Sequence, residues 1–459
     1  MALTPADDEF LSGVYKQLAD NPLQPDDPRY QPLDDSVAGD DPATLLGRHI
    51  QYSGSESLQL FSGFRGAGKT TQLFRLRRQL QEKGCVVLYG DALGYLNPAE
   101  PLTIEILLVI LAGSFSDALK EAGIDIGSDS YWSRLWHYLT TTTVEVKQVG
   151  LKAQIESPFK DYFGGGKLDV DVKAELKETP SFRQELRQVL STRLKEVKRD
   201  VDKFIEDGVK AVRQKHPGAD VVFLLDSLEQ LRGSLSSERE VFRSVEYLFS
   251  HHMRSLSLPY VHAIYCVPPW LQFVSPNSAR ISITIPSIRL WNNDTGRSRN
   301  PPGWAVLRAA LIKRFPQDGL ARFFGAPDQQ GNFGLADKLI EMSGGHFRDF
   351  LRLLSETVLR VQSLPASEGA VVGAINSVKE SFLPIAIEDA VWLDKIGETR
   401  KTALPSTSPD DVAKLTRFLD THFVVYLKNG EGWYDVHPLI RDEVKALAGQ
   451  VAPAHQTGS

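Results

Sequence analysis

The chain is poor in cysteine, with only Cys85 and Cys266 among 459 residues. The two form no C-x-x-C pair, which excludes a disulfide-stapled scaffold and a thiolate zinc site and suits a reducing compartment. The chain also lacks an apolar run near the roughly 20 residues that a membrane-spanning helix needs. Its first 20 residues have no basic stretch followed by an apolar one. We therefore expect a cytoplasmic protein without a membrane partner.

An excess of basic residues is likewise absent, because 52 Lys and Arg against 58 Asp and Glu give a formal net charge of −6. Nucleic-acid binding usually requires a basic surface, so this charge does not support it. Residues 1–45 are strongly acidic, with ten acids against Lys16 and Arg29, and six prolines interrupt them. This composition predicts either an extended arm over the first domain or a partly disordered tail.

From residue 58 onward, short apolar runs alternate with stretches of helical periodicity. Continuous apolar strands separated by helices are typical of a parallel sheet covered on both faces, so we predict an α/β fold. The predicted strands are Leu58–Phe61, Cys85–Tyr89, Val221–Leu225, Val261–Val267 and Ile281–Ile285.

The period changes between Thr140 and Pro180, where apolar residues alternate with polar ones over 149–155 and again over 168–176. Alternation predicts a long antiparallel hairpin, which we expect to project as a contact surface for a partner or a neighbouring copy. A single amphipathic helix of about eight turns is predicted to follow, from Phe182 to Val212.

Helical periodicity dominates from Pro302 to about Ile387, and a helix, a hairpin and a helix are predicted over 410–447. The last pattern resembles part of a winged helix. The predicted domains are an N-terminal arm (1–45), a P-loop ATPase domain (46–300, with an insertion at 140–216), a helical lid (301–387) and a winged-helix-like domain with a tail (388–459).

A complete phosphate-binding motif follows the first predicted strand. The string G-F-R-G-A-G-K-T matches G-x-x-x-x-G-K-[ST], and the nucleotide-binding candidates are Gly63, Phe64, Arg65, Gly66, Ala67, Gly68, Lys69, Thr70 and Thr71. The glycines let backbone N–H groups turn toward a phosphate at the positive end of the next helix. Lys69 would reach the β- and γ-phosphates of ATP, and the Thr70 hydroxyl would bind Mg²⁺.

Asp226 ends the apolar run Val221–Leu225 and is the second metal-site candidate. In a parallel sheet this position lies at the carboxyl edge, where an acid can hold Mg²⁺ through water. An Asp at this position can also be a simple turn cap.

The P-loop, the string D-S-L-E beginning at Asp226, the helical lid and the C-terminal helix–hairpin–helix together resemble the AAA+ and STAND ATPases. In most AAA+ members a Glu follows the strand-ending Asp directly, whereas Ser227 stands there in this chain. The string D-S-L-E-Q-L is closer to a STAND pattern, and the resemblance then assigns the water-orienting role to Glu229. A solvated acid at a helix start is the alternative for Glu229.

The same resemblance implies two catalytic arginines. Arg348, in G-G-H-F-R-D-F-L, matches a lid arginine that senses the γ-phosphate, and Arg280 holds the position of an arginine finger acting on a neighbouring subunit. Arg289, Arg308 and Arg314 compete with Arg280 for that role. The strand Val261–Val267 ends without the polar residue usual in the family, which puts efficient hydrolysis in doubt.

These features favour an ATP-hydrolysing switch that self-associates and controls a separate effector protein. The alternative is an ATP-dependent DNA remodeller of initiator or transposition-regulator type. Residues 400–449 contain seven basic and seven acidic residues, and this balance favours protein contact over DNA. A P-loop kinase for small molecules is disfavoured by the long lid. His437, before Pro438, is interpreted as part of a packed turn rather than as a metal ligand.

Overall fold

The computed structural model describes residues 3–33, 41–126, 130–135, 144–148, 151–155, 168–234, 236–274, 282–406 and 408–450. The chain divides into two compact units, each assembled from segments that are distant in sequence. The first unit contains Met1–Leu45, Gly63–Arg75 and Thr284–Ser459, and the second contains Leu46–Ser62 and Leu76–Ile283.

Among the described residues the strands group into one larger sheet and two hairpins. In chain order the strands are β1 (Ser57–Gly63), β2 (Val86–Asp91), β3 (Val144–Gln148), β4 (Leu151–Ile155), β5 (Val221–Asp226), β6 (Val261–Val267), β7 (Ser282–Ile285), β8 (Val424–Asn429) and β9 (Glu431–Val436).

The helices fall into three groups along the chain. The first group is α1 (Pro5–Gln17), α2 (Pro42–Tyr52), α3 (Lys69–Glu82) and α4 (Ile104–Glu121). The second is α5 (Leu168–Glu178), α6 (Pro180–Ser191), α7 (Leu194–Lys215), α8 (Glu238–His251) and α9 (Leu271–Val274). The third is α10 (Pro301–Ile312), α11 (Gly319–Phe324), α12 (Gly334–Met342), α13 (Phe347–Arg360), α14 (Glu368–Glu380), α15 (Ile387–Thr399), α16 (Pro409–Asp420) and α17 (Arg441–Gly449).

The larger sheet is parallel and has the strand order β2–β5–β6–β1–β7. Strands β5 and β6 are buried along their whole length, as continuous apolar runs predict for a sheet covered on both faces. Leu225 is paired with Tyr265, and Ser62 with Val267, so β5, β6 and β1 end at the same edge. The predicted α/β fold with a parallel sheet and helices is confirmed.

The hairpin predicted over 140–180 is wrong in its second half. Strands β3 and β4 pair antiparallel with Val144 opposite Ile155, whereas residues 168–178 form α5. Val172 and Leu176 are buried and Ala174 is exposed, a spacing of four that a helix places on one face. An apolar pattern at 168, 172 and 176 satisfies both periods, which is why alternation was misleading here.

The single eight-turn helix predicted from Phe182 to Val212 is also wrong, since α6 and α7 are separate helices. The hydroxyl of Thr192 donates to the carbonyl of Val189 at 3.0 Å, and Arg193 leaves helical geometry with φ −133° and ψ 29°. A Thr side chain that bonds to the preceding turn competes with the helical backbone bonds. The apolar stripe nevertheless continues across the break.

The C-terminal part of the first unit contains the predicted helix, hairpin and helix. Strands β8 and β9 pair antiparallel, with Leu427 opposite Trp433, and these side chains form a small buried cluster with Val425. Helix α15 packs against both α17 and β9. The hairpin therefore has a small apolar core of its own and packs against α15.

The N-terminal segment is folded rather than extended over its described residues. Thr4 and Asp7 form a capping box at the start of α1, and α1 packs against α13 of the same unit. Asp7 also accepts a hydrogen bond from Arg322 at 2.7 Å. The expectation of an extended arm over the first domain or a partly disordered tail does not describe residues 5–17, which are helical and pack against α13.

Among the described residues, no helix combines the length and the apolar composition that crossing a bilayer requires.

Candidate phosphate-binding site

The loop after β1 has the backbone of a phosphate cradle. Strand β1 ends at Gly63 and α3 begins at Lys69. Between them Gly66 and Gly68 have φ angles of 85° and 89°, a conformation that other residues rarely adopt. The loop therefore turns sharply into the N-terminus of α3, where the helix dipole and the backbone N–H groups of the first turn favour an anion.

Lys69 folds back over this loop. Its side chain is buried, and its Nζ donates to the carbonyl oxygens of Gly63 at 2.9 Å and Phe64 at 3.1 Å. An ammonium group held by two carbonyls lies directly above the loop backbone. The adjacent Thr71 accepts a hydrogen bond from the backbone N–H of Leu23 at 3.2 Å, which attaches the N-terminal segment to the start of α3.

Arg348 lies against the loop within the same unit. A Cβ on Gly66 would be 2.5 Å from the Cβ of Arg348 and 3.0 Å from its Nε. The Arg348 guanidinium forms an ion pair with Asp20 of the N-terminal segment. The structure therefore brings together the predicted loop residues and the predicted lid arginine.

A pair of glycines sets the position of Arg348. Gly344 and Gly345 have φ angles of 60° and 80° just before α13. A Cβ on Gly345 would lie 1.7 Å from the carbonyl oxygen of Ile288, so only glycine fits there. This turn places the first residues of α13 at the loop.

Three histidines surround one carboxylate behind the loop, and the sequence did not single out this cluster. Oδ2 of Asp349 is 2.6 Å from Nδ1 of His346, 3.4 Å from Nε2 of His437 and 3.6 Å from Nδ1 of His422. Asp349 and the histidines are buried. The other ring nitrogen of His346 donates to the carbonyl oxygen of Arg65 at 2.7 Å.

Residues of the cluster shift one another's pKa values. Burial by itself would raise the pKa of Asp349, but the charge of His346 and hydrogen bonding from the surrounding histidines lower that pKa well below its usual range. Burial and the nearby charge of His346 together lower the pKa of His422 to about 3, although the Asp349 carboxylate acts in the opposite direction. Asp349 therefore remains a carboxylate and His422 remains neutral at physiological pH.

These groups are also candidate metal ligands, since atoms of His346, Asp349 and His422 lie within 4.8 Å of one another. A metal ion, however, needs an empty point about 2 Å from each ligand atom. Here the nitrogens surround the Oδ2 atom itself. Ring nitrogens that converge on one carboxylate oxygen do not match a metal cage.

Asp226 ends β5 in the second unit and is held by two hydrogen bonds. The Tyr89 hydroxyl donates to its Oδ2 at 3.0 Å, and the backbone N–H of Ser227 donates to its Oδ1 at 2.8 Å. Burial, followed by the charge of Asp226, raises the pKa of Tyr89, which keeps this hydroxyl a donor. Asp226, Glu229 and Cys266 place potential ligand atoms within 4.8 Å of one another. The predicted metal-side acid and the predicted water-orienting acid are therefore neighbours.

The predicted arginine finger, Arg280, lies outside the described residues. Two of its competitors are engaged within the chain. Arg308 forms an ion pair with Asp337 at 2.5 Å, and Arg314 is buried and donates to the carbonyl of Ala310 at 2.9 Å. Burial lowers the pKa of Arg314 to about 10. Neither side chain is directed away from its own chain.

No protein-family model and no curated protein matches this chain. Among solved structures, the ORC2 protein of Aeropyrum pernix in ADPNP and ADP complexes is 11% identical, and the match covers 89% of this chain and 92% of that chain with a TM-score of 0.39. CDC6P of Pyrobaculum aerophilum is 11% identical over the same shares, with a TM-score of 0.31.

Proposed function

We propose that this chain is an ATP-binding and ATP-hydrolysing switch of AAA+/STAND type that uses Mg²⁺. The supporting observation is the loop at residues 63–70, where two left-handed glycines lead into α3 beneath a buried lysine. Arg348 against Gly66 adds a second cation at the same loop. Two positive side chains at a helix N-terminus suit a polyphosphate better than a monoanion.

In this proposal Lys69 exchanges the two carbonyl oxygens that it now contacts for β- and γ-phosphate oxygens. Thr70 and Asp226 would hold Mg²⁺, whose charge would offset that of the phosphates. Glu229 would orient the attacking water, and Arg348 would respond to the γ-phosphate. Residues 46–300 would form the nucleotide-binding domain, 301–387 the lid and 388–459 the winged-helix-like domain.

Binding and turnover can be tested separately with the full chain. We expect saturable binding of ATP and ADP by titration calorimetry, together with Mg²⁺-dependent release of phosphate from ATP. If the chain binds nucleotide but releases no phosphate, the proposed nucleotide switch stands and the proposed hydrolysis is wrong. A chain that binds neither nucleotide in the presence of Mg²⁺ would contradict the whole proposal.

The switch would act through assembly or through a separate effector protein. Light scattering with and without a non-hydrolysable ATP analogue tests assembly, because lid closure on the nucleotide would change which surfaces can meet another copy. If the molecular mass in solution does not change with nucleotide, the switch would have to act through the effector protein.

An initiator-type DNA remodeller is the second candidate, favoured by the helix–hairpin–helix over 409–449. Several basic side chains of that segment are committed to internal ion pairs, since Arg417 and Lys414 contact Asp389 and Arg441 contacts Asp435. This reduces the positive charge left for phosphate contacts. Anisotropy titrations with duplex DNA at two salt concentrations separate the candidates, because DNA binding would weaken steeply with salt.

A further inference from the structure

The carboxylate of Asp349 is a point of contact between the phosphate loop and residues 422–437, which are called the C-terminal segment below. Asp349 and His346 lie at the start of α13 and its preceding turn, whereas His422 follows α16 and His437 follows β9. All of these residues belong to the first unit. One buried oxygen therefore connects three regions that are far apart in sequence.

His346 connects that carboxylate to the loop through both of its ring nitrogens. The carbonyl of Arg65 can only accept, so Nε2 of His346 carries a proton, and Nδ1 faces the Asp349 carboxylate at 2.6 Å. Both ring nitrogens of His346 therefore face oxygen acceptors, and one of these is the Asp349 carboxylate. A charge-assisted bond of this kind is shorter and stronger than a neutral one.

The C-terminal segment approaches the same oxygen from the other side. Nδ1 of His437 accepts from the N–H of Leu439 at 3.3 Å, so its Nε2 carries the proton. This nitrogen lies 3.4 Å from Oδ2 of Asp349, a close polar contact without the alignment of a hydrogen bond. The His422 ring lies 4.0 Å from the His346 ring and meets the ring of Phe64 edge to face at 6.4 Å. The loop thus touches the segment both through a polar chain and through Phe64.

We propose that Asp349 is a positioning residue that couples nucleotide binding at the loop to the packing of the C-terminal segment 422–437. This inference rests on the proposed nucleotide binding. Asp349 holds His346 so that it fixes the Arg65 carbonyl, and it holds His437 in the segment at the same time. A nucleotide that moves the Arg65 peptide therefore changes the contacts of the segment, and the reverse also holds because coupling is reciprocal.

The test compares Asp349→Asn with Asp435→Asn in the full chain. Asp435 is a matched control, because it is as deeply buried as Asp349, lies within segment 422–437 and also holds cations, namely Arg297 at 3.0 Å and Arg441 at 2.9 Å. Both of these cations lie outside the phosphate loop. Titration calorimetry with ADP and Mg²⁺ measures affinity, and hydrogen exchange with and without ADP measures the response of residues 424–436.

We expect Asp349→Asn to weaken ADP binding by about tenfold, within the usual range of coupling between sites. It should also abolish the ADP-dependent change in exchange over 424–436. Asp435→Asn should alter basal exchange there but keep the ADP response and bind ADP within about twofold of the parent chain. Should Asp349→Asn not fold, His346→Gln interrupts the same connection and is judged by the same two measurements.

Equal losses of affinity in the two variants would overturn the inference, because they would reflect loosened packing alone. So would an Asp349→Asn chain that keeps both parental affinity and the ADP response. If the parent chain itself binds no nucleotide, the proposed function fails instead. The inference and the function on which it rests can therefore fail separately.

Discussion

The guanidinium of Arg348 forms an ion pair with Asp20, although Arg348 also lies against Gly66 of the phosphate loop. Asp20 belongs to the acidic N-terminal segment, whose Leu23 contacts Thr71. A carboxylate on this arginine is a natural competitor for a phosphate at the same position. Under the proposed function, the acidic arm would therefore lower the affinity for a nucleotide.

We predict that Asp20→Asn increases ATP affinity by up to about fivefold. The pair is partly exposed, with 32% and 44% of the two side chains accessible, so its contribution is that of a surface ion pair, at most about 1 kcal/mol. Fluorescence titration of ATP checks the change, and the exposed Asp26→Asn serves as the control. A lower affinity in Asp20→Asn would mean that Asp20 orients Arg348 for the phosphate instead of competing with it.

Lys69→Ala should weaken ATP binding on the order of 100-fold or more. The lysine would supply charge-assisted bonds to two phosphates, and each such bond contributes about 1.5–3 kcal/mol. Lys83→Ala, at an exposed position just after α3, should leave affinity unchanged. Calorimetry on both variants measures the difference, and an unaltered affinity in Lys69→Ala would reject the assignment of the loop.

Asp226→Asn should change the Mg²⁺ dependence of turnover, whereas Glu229→Gln should change the rate of hydrolysis. Without the Asp226 carboxylate, the dependence of turnover on Mg²⁺ concentration should shift to higher concentrations. Glu229→Gln should keep ATP bound and slow its hydrolysis by roughly 100-fold or more, the scale of a general-base contribution. Steady-state phosphate release and ATP titration separate the two effects, with Glu238→Gln as an exposed control. Normal turnover in Glu229→Gln would move the water-orienting role to another residue.

The parallel sheet and the phosphate loop could be predicted because their signals are local. The apolar run Val221–Leu225 predicts a buried strand, and the glycines at 66 and 68 predict a tight loop. Each signal lies within a few residues. The Asp349 cluster could not be predicted, because His422 and His437 are far from Asp349 in sequence and only the folded chain brings them together. Residues 168–176 were wrongly predicted as a strand for a different reason, since the spacing of Val172 and Leu176 fits a helix and a strand equally well.

The buried histidine cluster predicts that stability falls in mild acid. The folded pKa of His422 is about 3 against the ordinary histidine value of 6.5, so the unfolded chain binds more protons between these values. Stability therefore rises with pH over that range, is fully present above about pH 6.5 and is lost as pH falls toward 3. The depressed pKa of Asp349 acts in the same direction, but only as pH falls below its ordinary value of 3.8.

Melting temperatures between pH 7.5 and 4.5 check this dependence. His422→Gln should flatten the curve between pH 6.5 and 4.5, whereas the exposed His216→Gln should retain the parental slope. A parental slope in His422→Gln would assign the acid sensitivity to groups outside the cluster.

The last prediction concerns the arginine that would act on a neighbouring copy. Arg308 and Arg314 are held by Asp337 and by the Ala310 carbonyl, and freeing either would break internal contacts. Arg280 stays the predicted finger on the basis of its sequence position before β7, with Arg289 as the remaining competitor. If ATP is hydrolysed between copies, Arg280→Ala and Lys69→Ala should each be inactive alone and should regain part of the activity when mixed. Phosphate release from the mixture checks this, because one of its interfaces pairs an intact loop with an intact arginine, and an arginine finger contributes about 10³-fold or more. The control mixture combines Arg308→Ala with Lys69→Ala. Normal hydrolysis by assembled Arg280→Ala alone would show that the arginine finger is another residue.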